Sequence, residues 1–260
     1  MSFLSDIMTV KREEVSRAKR ERSEASLLEE AKHTPRDFTS GLRRPELAVI
    51  AEVKRASPSK GPIAANVDLS ALIGAFEAGG AAAVSVLTDR TFFGGSLDDL
   101  KTVRSLTDLP LLRKDFLIDP YQLAEAAAHG ADAVLLIAAC LGRARMEAML
   151  AAALDLNLTP LVEVHSKEEL ASVLAMSVSL IGINHRDLHT LRIDLGLSAR
   201  LMPMMPQKTT VVAESGIRGW EDAETMARIG TDAVLTGETL MRSKDPAAEI
   251  RLLRRPKPGC

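Results

Sequence analysis

The sequence predicts an α/β protein: a closed (β/α)8 barrel preceded by an extra N-terminal helical segment. Three observations carry this prediction. Eight short aliphatic runs recur, at 47–54, 81–89, 109–116, 131–139, 158–165, 179–187, 209–216 and 231–238. Each ends in a polar tip and leads into a helical segment. Continuous apolar strands alternating with helices are parallel strands covered by those helices. Eight such units in about 210 residues match the TIM-barrel architecture. An open doubly wound sheet is the alternative, but no GxGxxG follows the first run. Finally, GADAVLL (130–136) is echoed by GTDAVLT (230–236), on the fourth and eighth strands, which lie opposite each other in a barrel. A half-barrel repeat accounts for the echo. So does plain local chemistry, because Gly-x-Asp-Ala-Val stops a helix and starts a strand well.

The elements follow in order. Residues 3–31 place Phe3, Ile7, Val10, Val15, Ala18, Leu27, Leu28 and Ala31 at helical spacing among charges, which predicts one or two amphipathic helices. A turn-rich connector, HTPRDFTSG, occupies 33–41. The expected organisation is a single barrel domain over 1–260, with 1–46 as helical extension and connector. The last residues, RLLRRPKPGC, read as the end of the final helix and a disordered basic tail.

Composition narrows the function. The net charge is −2 and aromatics are only 3%, which argues against a nucleic-acid surface or a base-stacking platform. Apolar residues are 46% and charged residues 26%, ordinary values for a globular protein. Cys140 and Cys260 are far apart, with no CxxC, so neither a disulfide framework nor structural zinc is expected, as suits a reducing cytoplasm. The N-terminus has no signal-peptide core, and no run reaches the length of a membrane helix.

The charges at the strand tips point to a site. The first run, LAVIA, ends in Glu52, Lys54 and Arg55, and buried charge is costly unless paired or put to use. In a barrel the site lies at the carboxyl ends of the strands. Lys114, Glu163, Asn184 with Arg186, Glu214 with Ser215, and Gly237 stand at the later tips. Side chains alternate along a strand, so Glu52 and Lys54 share a face, as do Leu112 and Lys114, Leu161 and Glu163, and Asn184 and Arg186. If those faces point into the barrel mouth, cations and carboxylates converge. A layer of ion pairs that merely closes the barrel is the competing reading, and five strand ends together weigh against it. After the last two strands come AESGIRGWED (213–222) and LTGETLMRS (235–243). Such loops expose backbone N–H groups to an anion, commonly phosphate. Ser215 adds a hydroxyl, Gly216 and Gly237 permit close approach, and Glu238 is expected to offer only its amide.

These motifs resemble one family, the indole-3-glycerol-phosphate synthases of tryptophan biosynthesis. The resemblance runs through VIAEVKRASPSKGPI (49–63), SVLTDRTFFGGSLDDL (85–100) and LRKDFLIDPYQLAEAAAHGADAVLLIAA (112–139). It continues through LVEVHSKEEL (161–170), IGINHRDLHT (181–190) and VAESGI (212–217), with KREEV (11–15) similar to the family's segment before the barrel. It implies ring closure of 1-(2-carboxyphenylamino)-1-deoxyribulose 5-phosphate with loss of carbon dioxide and water, using no cofactor and no metal. It implies Lys114 as general acid with Lys54 close by, tuned by burial and neighbouring cations that lower a lysine's pKa. It also implies Glu163 for proton movement in the dehydration and Glu52 to orient the lysines. Asn184 and Arg186 would hold hydroxyl and carboxylate groups. Ser57 and Lys60 sit on a first loop that reads as a lid, and Ser215, Gly216, Gly237 and Glu238 would take the phosphate. The partner expected is a small phosphorylated substrate, with no nucleic acid and no membrane. A monomer is expected, with association to other tryptophan-pathway enzymes left open. Another phosphosugar barrel, of the phosphoribosylanthranilate isomerase type, and a non-catalytic metabolite-binding scaffold are the alternatives.

Other residues receive structural roles. By parity His185 points away from the mouth, and His165 is expected in a surface turn although it could line the pocket. Cys140 reads as a small buried side chain, Phe92 and Phe93 as a hydrophobic wall under the second loop, and Arg55 as structural.

Overall fold

The computed structural model describes residues 3–257 apart from 33, 59, 65 and 66; Cys260 and the end of the expected basic tail lie outside the described residues. Two helices come first, as the spacing predicts. α1 (Phe3–Glu21) buries Leu4, Ile7, Lys11 and Val15, one residue per turn along a single stripe. α2 (Glu24–Glu30) begins at Ser23, whose side chain accepts the Ser26 amide. Leu27 of α2 packs with Tyr121 and Ala124. The Tyr121 hydroxyl donates to the carbonyls of Ala18 and Arg22, so the joint between α1 and α2 is tied to the barrel. In the connector a 3-10 turn, Ser40–Leu42, brings Leu42 and, just before it, Phe38 into the inward-facing cluster.

Eight parallel strands then close on themselves: β1 (Ala48–Val53), β2 (Ala83–Leu87), β3 (Leu111–Lys114), β4 (Ala133–Ile137), β5 (Thr159–Val164), β6 (Leu180–Asn184), β7 (Thr210–Glu214) and β8 (Ala233–Thr236). Each bonds to the next, and β8 returns to β1 with Ala233 opposite Ala48. This is the (β/α)8 barrel, and the open sheet is ruled out by that closing pair. Each predicted run contains its strand and overshoots it by a few residues, because the tips that carry the chemistry are already loop.

Alternation sorts the core into two layers. Ala48, Ile50, Leu112, Leu135, Leu161, Leu180, Val212 and Leu235 fill the barrel interior. Val49, Ala51, Val84, Val134, Val162, Ile181 and Val211 pack outward against the helices. Followed toward the carboxyl ends, the inward parity arrives at Glu52, Lys114, Glu163, Asn184 and Glu214. The apolar layers thereby determine which charged residues face the mouth.

The echoed heptads do the same work twice. Gly130 and Gly230 adopt left-handed φ values of 80° and 96°. Asp132 Oδ2 then accepts the Leu111 amide at 2.7 Å, and Asp232 Oδ2 accepts the Val211 amide at 2.9 Å. Each aspartate staples its strand to the preceding one at the amino end of the barrel. No helix among the described residues is long and apolar enough to cross a membrane.

Candidate active site

The carboxyl ends of the strands surround a cavity of about 1020 Å³ lined by Glu52, Lys54, Lys60, Lys114, Arg186, Glu214, Ser215, Gly216, Gly237 and Glu238, among others. Nine of these were singled out from the sequence; Glu214 was seen there as a polar tip without a role. Glu163 and Asn184 do not line the cavity; both are buried, 1% and 5% exposed, with Glu163 beside Lys114, and Ser57 lies in the first loop.

The floor is a compact charge cluster. Lys114 Nζ is 3.6 Å from Glu214 Oε2 and 3.9 Å from Glu163 Oε2. Lys54 Nζ is 3.5 Å from Glu52 Oε1, and the Ser85 hydroxyl donates to Glu52 Oε2 at 3.5 Å. Asn184 favours the charged form of Glu163, while its Oδ1 accepts the Arg186 backbone amide at 3.0 Å. Asn184 thus joins the floor to the residue that carries the guanidinium at the rim.

Two glycines make room for two of the carboxylates. A Cβ built on Gly182 would stand 2.0 Å from Glu214 Oε1, and one on Gly237 would stand 2.6 Å from Glu52 Oε1. Gly237 therefore serves the floor of the site as well as its loop. Its φ is −124°, an ordinary value, so packing and not backbone freedom demands glycine there.

Charge balance sets the proton affinities. Burial alone would lower Lys114, but Glu214, Glu163 and Glu52 outweigh it and hold the ammonium above its ordinary pKa. The expectation of a lowered Lys114 is therefore corrected: three strands deliver carboxylates around it. Lys54 is the lysine held low, by burial first and then by Lys114 and Arg186, against the pull of Glu52. Burial and neighbouring Glu163 push Glu214 well up. Glu163 is held down although burial opposes it, because His165, Lys114 and Asn184 favour its charged form. The two buried glutamates are thus driven in opposite directions, Glu214 up and Glu163 down.

His165 is not in a surface turn. Its side chain is 10% exposed, with Nε2 3.2 Å from Glu163 Oε1 and Nδ1 3.4 Å from Glu169 Oε2. Burial alone would lower this imidazole, but the two carboxylates raise it to about 10. His185 does point away from the mouth. It is buried, its Nδ1–H donates to the Ser215 carbonyl at 2.9 Å, and its Nε2 accepts from the Ser198 hydroxyl at 2.7 Å. That bond holds the turn in which Ser215 and Gly216 are both left-handed, at φ 64° and 83°. A Cβ on Gly216 would also strike Ile193 at 2.6 Å.

The loops complete the walls. Ala56–Ser57 pairs antiparallel with Gly61–Pro62; Ser59 lies outside the described residues. Ser57 is buried, its hydroxyl without a hydrogen-bond partner among the described residues, while Lys60 is exposed at the cavity rim. Arg55 grips Asp99 with Nε and Nη2 at 3.1 and 2.7 Å, tying this first loop to the helix after the second. In the second loop a single helical turn, Arg90–Phe93, is capped by Asp89. Phe92 packs edge-on to Phe3 of α1, with ring centroids 5.6 Å apart, and the Phe93 centroid lies 5.5 Å from Lys54 Nζ. Cys140 is half-buried, and burial, then Glu163 and Glu169, push its thiol up to about 12. After β8 the short helix Glu238–Arg242 begins, and the Glu238 carboxylate is engaged by Arg242 at 3.2 Å.

Sequence reasoning passed over an apolar wall of Leu191, Ile193 and Leu195 beside the cavity. The signal was present, since apolar residues alternate with Arg192 and Asp194 in LRIDL. A face built of isolated aliphatics beyond a strand reads as ordinary loop packing until the loop is seen to fold over the mouth.

A profile of the family described as indole-3-glycerol phosphate synthase matches residues 4–253. The indole-3-glycerol phosphate synthase of a Parafrankia species is 47% identical over 248 residues, 95% of this chain and 92% of that protein. Indole-3-glycerol phosphate synthase 2 of Streptomyces coelicolor is 46% identical over 251 residues, 96% of this chain and 97% of that protein. Among solved structures, 3-hexulose-6-phosphate synthase from Salmonella typhimurium aligns with a TM-score of 0.63 at 11% identity, over 80% of this chain and 96% of that one, a likeness of fold alone.

Proposed function

The chain belongs to the indole-3-glycerol phosphate synthase family, and from that premise we propose how its own residues carry out the ring closure. The protein is a decarboxylating, dehydrating lyase of tryptophan biosynthesis; neither a phosphoribosylanthranilate isomerase nor a bare scaffold is favoured. In the reaction, the aromatic carbon bearing the carboxylate attacks the ketone carbon of the ribulose chain. Carbon dioxide then leaves its electron pair with the ring, and loss of water forms the indole.

Lys114 is the general acid of the first step. Its ammonium stands on the cavity floor, fully charged because three carboxylates surround it. A substrate ketone oxygen above it takes the proton as the carbon–carbon bond forms. Lys54, depressed by burial and by two neighbouring cations, is the lysine whose proton moves at least cost. Glu52 orients it. Glu163, ionised and braced by Asn184 and His165, takes the proton released in the dehydration. Glu214 stands 3.6 Å from Lys114 and helps hold its ammonium charged, and the departing hydroxyl takes its proton from Lys54, the lysine of lower proton affinity. Asn184 and Arg186 hold the hydroxyl and carboxylate groups, with Ser57 and Lys60 closing from the first loop. Ser215, Gly216, Gly237 and the Glu238 amide receive the phosphate, and Leu191, Ile193 and Leu195 offer the ring an apolar side.

The observation that carries this reading is the convergence of Glu52, Lys114, Glu163 and Glu214, inward side chains of β1, β3, β5 and β7, on one charge cluster at the cavity. Its test is Lys114→Ala, followed by indole fluorescence with chelator present and no added cofactor. Turnover should vanish while substrate binding stays within about tenfold, or roughly 1.4 kcal/mol. Wild-type turnover in the variant would remove Lys114 from the mechanism. A single barrel domain acting as a cytoplasmic monomer completes the proposal, with mass measurement in solution as its check.

A further inference from the structure

Lys11 of α1 is an anomaly that the reaction does not explain. It sits on the apolar stripe of its helix and is only 2% exposed. Its ammonium contacts three carboxylates: Glu14 at 2.8 Å, Asp89 at 2.7 Å and Asp115 at 2.9 Å. A lysine is almost never buried so completely unless it is paired, and here two of the partners belong to loops that shape the active site.

Asp89 follows β2 and caps the single turn of the second loop, accepting the Phe92 and Phe93 amides at 2.6 and 3.1 Å. Phe93 is the ring beside Lys54. Asp115 directly follows Lys114. Its Oδ2 accepts the Thr88 hydroxyl at 2.7 Å, and Arg113 Nη2 stands 3.4 Å from the same oxygen. Burial would raise Asp115, but Lys11 and Arg113 hold it ionised. One ammonium from the N-terminal extension therefore pins the segment after β2 and the segment after β3 to each other.

We propose that Lys11 is a positioning residue for the ring closure: by binding Asp89 and Asp115 together it sets Phe93 against Lys54 and holds the strand end that presents Lys114. The proposal rests on reading Lys114 and Lys54 as the groups that move protons. The loops after β7 and β8, which receive the phosphate, lie outside the latch, so substrate affinity depends little on it.

The test is steady-state kinetics of Lys11→Met beside Lys114→Ala, with rates referred to folded protein by circular dichroism. Loosening two catalytic segments costs rate steeply, about ten- to a hundredfold in kcat, with KM within about threefold. Wild-type kcat in folded Lys11→Met, or a rise in KM alone, overturns the proposal. Active Lys114→Ala overturns the reading beneath it instead, so the two failures are distinguishable. Removing the cation leaves buried carboxylates facing each other. Should Lys11→Met not fold, Asp89→Asn keeps the ammonium on Asp115 and Glu14 and releases only the second loop. That variant must lose kcat by at least about threefold at unchanged KM; wild-type kcat in Asp89→Asn overturns the proposal as surely.

Discussion

Replacing Gly182 by alanine should separate catalysis from folding. The residue lies on β6 with its missing side chain directed at Glu214, and it is absent from the positions of left-handed backbone. Alanine therefore meets no backbone obstacle. The new Cβ would stand 2.0 Å from Glu214 Oε1, so that oxygen must withdraw by about 1.4 Å to reach ordinary contact at 3.4 Å. The displaced atom is the tip of a flexible side chain, so the fold adjusts cheaply. Overpacking costs about 1–3 kcal/mol, and the stiffer unfolded chain offsets about 0.4–1 kcal/mol of it. The function has no such slack, because Glu214 stands 3.6 Å from Lys114 and a shift of about 1 Å can cost about a hundredfold in rate. Expected, then, is a folded protein with a slightly lowered Tm and kcat reduced about a hundredfold, measured by indole fluorescence and thermal circular dichroism. Gly74→Ala, on an outer helix with nothing within 4 Å of the added carbon, is the control and should leave kcat unchanged. A folded Gly182→Ala enzyme turning over at the wild-type rate would refute the claim that this clearance holds Glu214 in its working position.

Two further outcomes follow from the geometry. Lys60→Ala, at the rim of the cavity, should slow turnover or product release and leave the circular dichroism spectrum intact; identical steady-state and single-turnover rates would count against a closing role for the first loop. His165 is raised to about 10 in the folded protein from an ordinary 6.5, so its proton favours folding: that stability is complete below the unfolded value and is lost as pH rises from 6.5 toward 10. Urea unfolding across that window should show wild type losing stability that His165→Gln does not lose, and parallel curves for the two proteins would contradict the ion pair with Glu163.

The barrel was legible because a strand buried on both faces leaves little choice of residue. The eight runs are aliphatic throughout and change character only where they leave the wall. The site was legible for the same reason: parity carried Ile50 to Glu52, Leu112 to Lys114 and Leu161 to Glu163. The balance of charge between strands was not. Lys114 looked like a lysine to be depressed by burial, and only closure of the barrel brings Glu52, Glu163 and Glu214 around it. His165 looked like turn chemistry because its two partners flank it in sequence, and nothing in LVEVHSKEEL says that both turn back upon it. Lys11 carried a signal that is easily missed. KREE reads as a solvated face, yet position 11 falls one turn after Ile7 and one turn before Val15 on the buried stripe. A charge on that stripe must meet a partner inside, and the partners are 78 and 104 residues away in Asp89 and Asp115.

The glycine clearances bear on how such a site can change over generations. Glu214 occupies space left open by Gly182, and Glu52 occupies space left open by Gly237. Each carboxylate and its glycine form a pair in which neither member can be replaced first without harm. A larger residue at 182 displaces the acid, and a smaller residue at 214 leaves an unfilled hollow beside the glycine. Descent from a common ancestor would therefore keep or exchange these residues two at a time, and lineages that turn the same barrel to other chemistry would have to cross a disfavoured intermediate on the way.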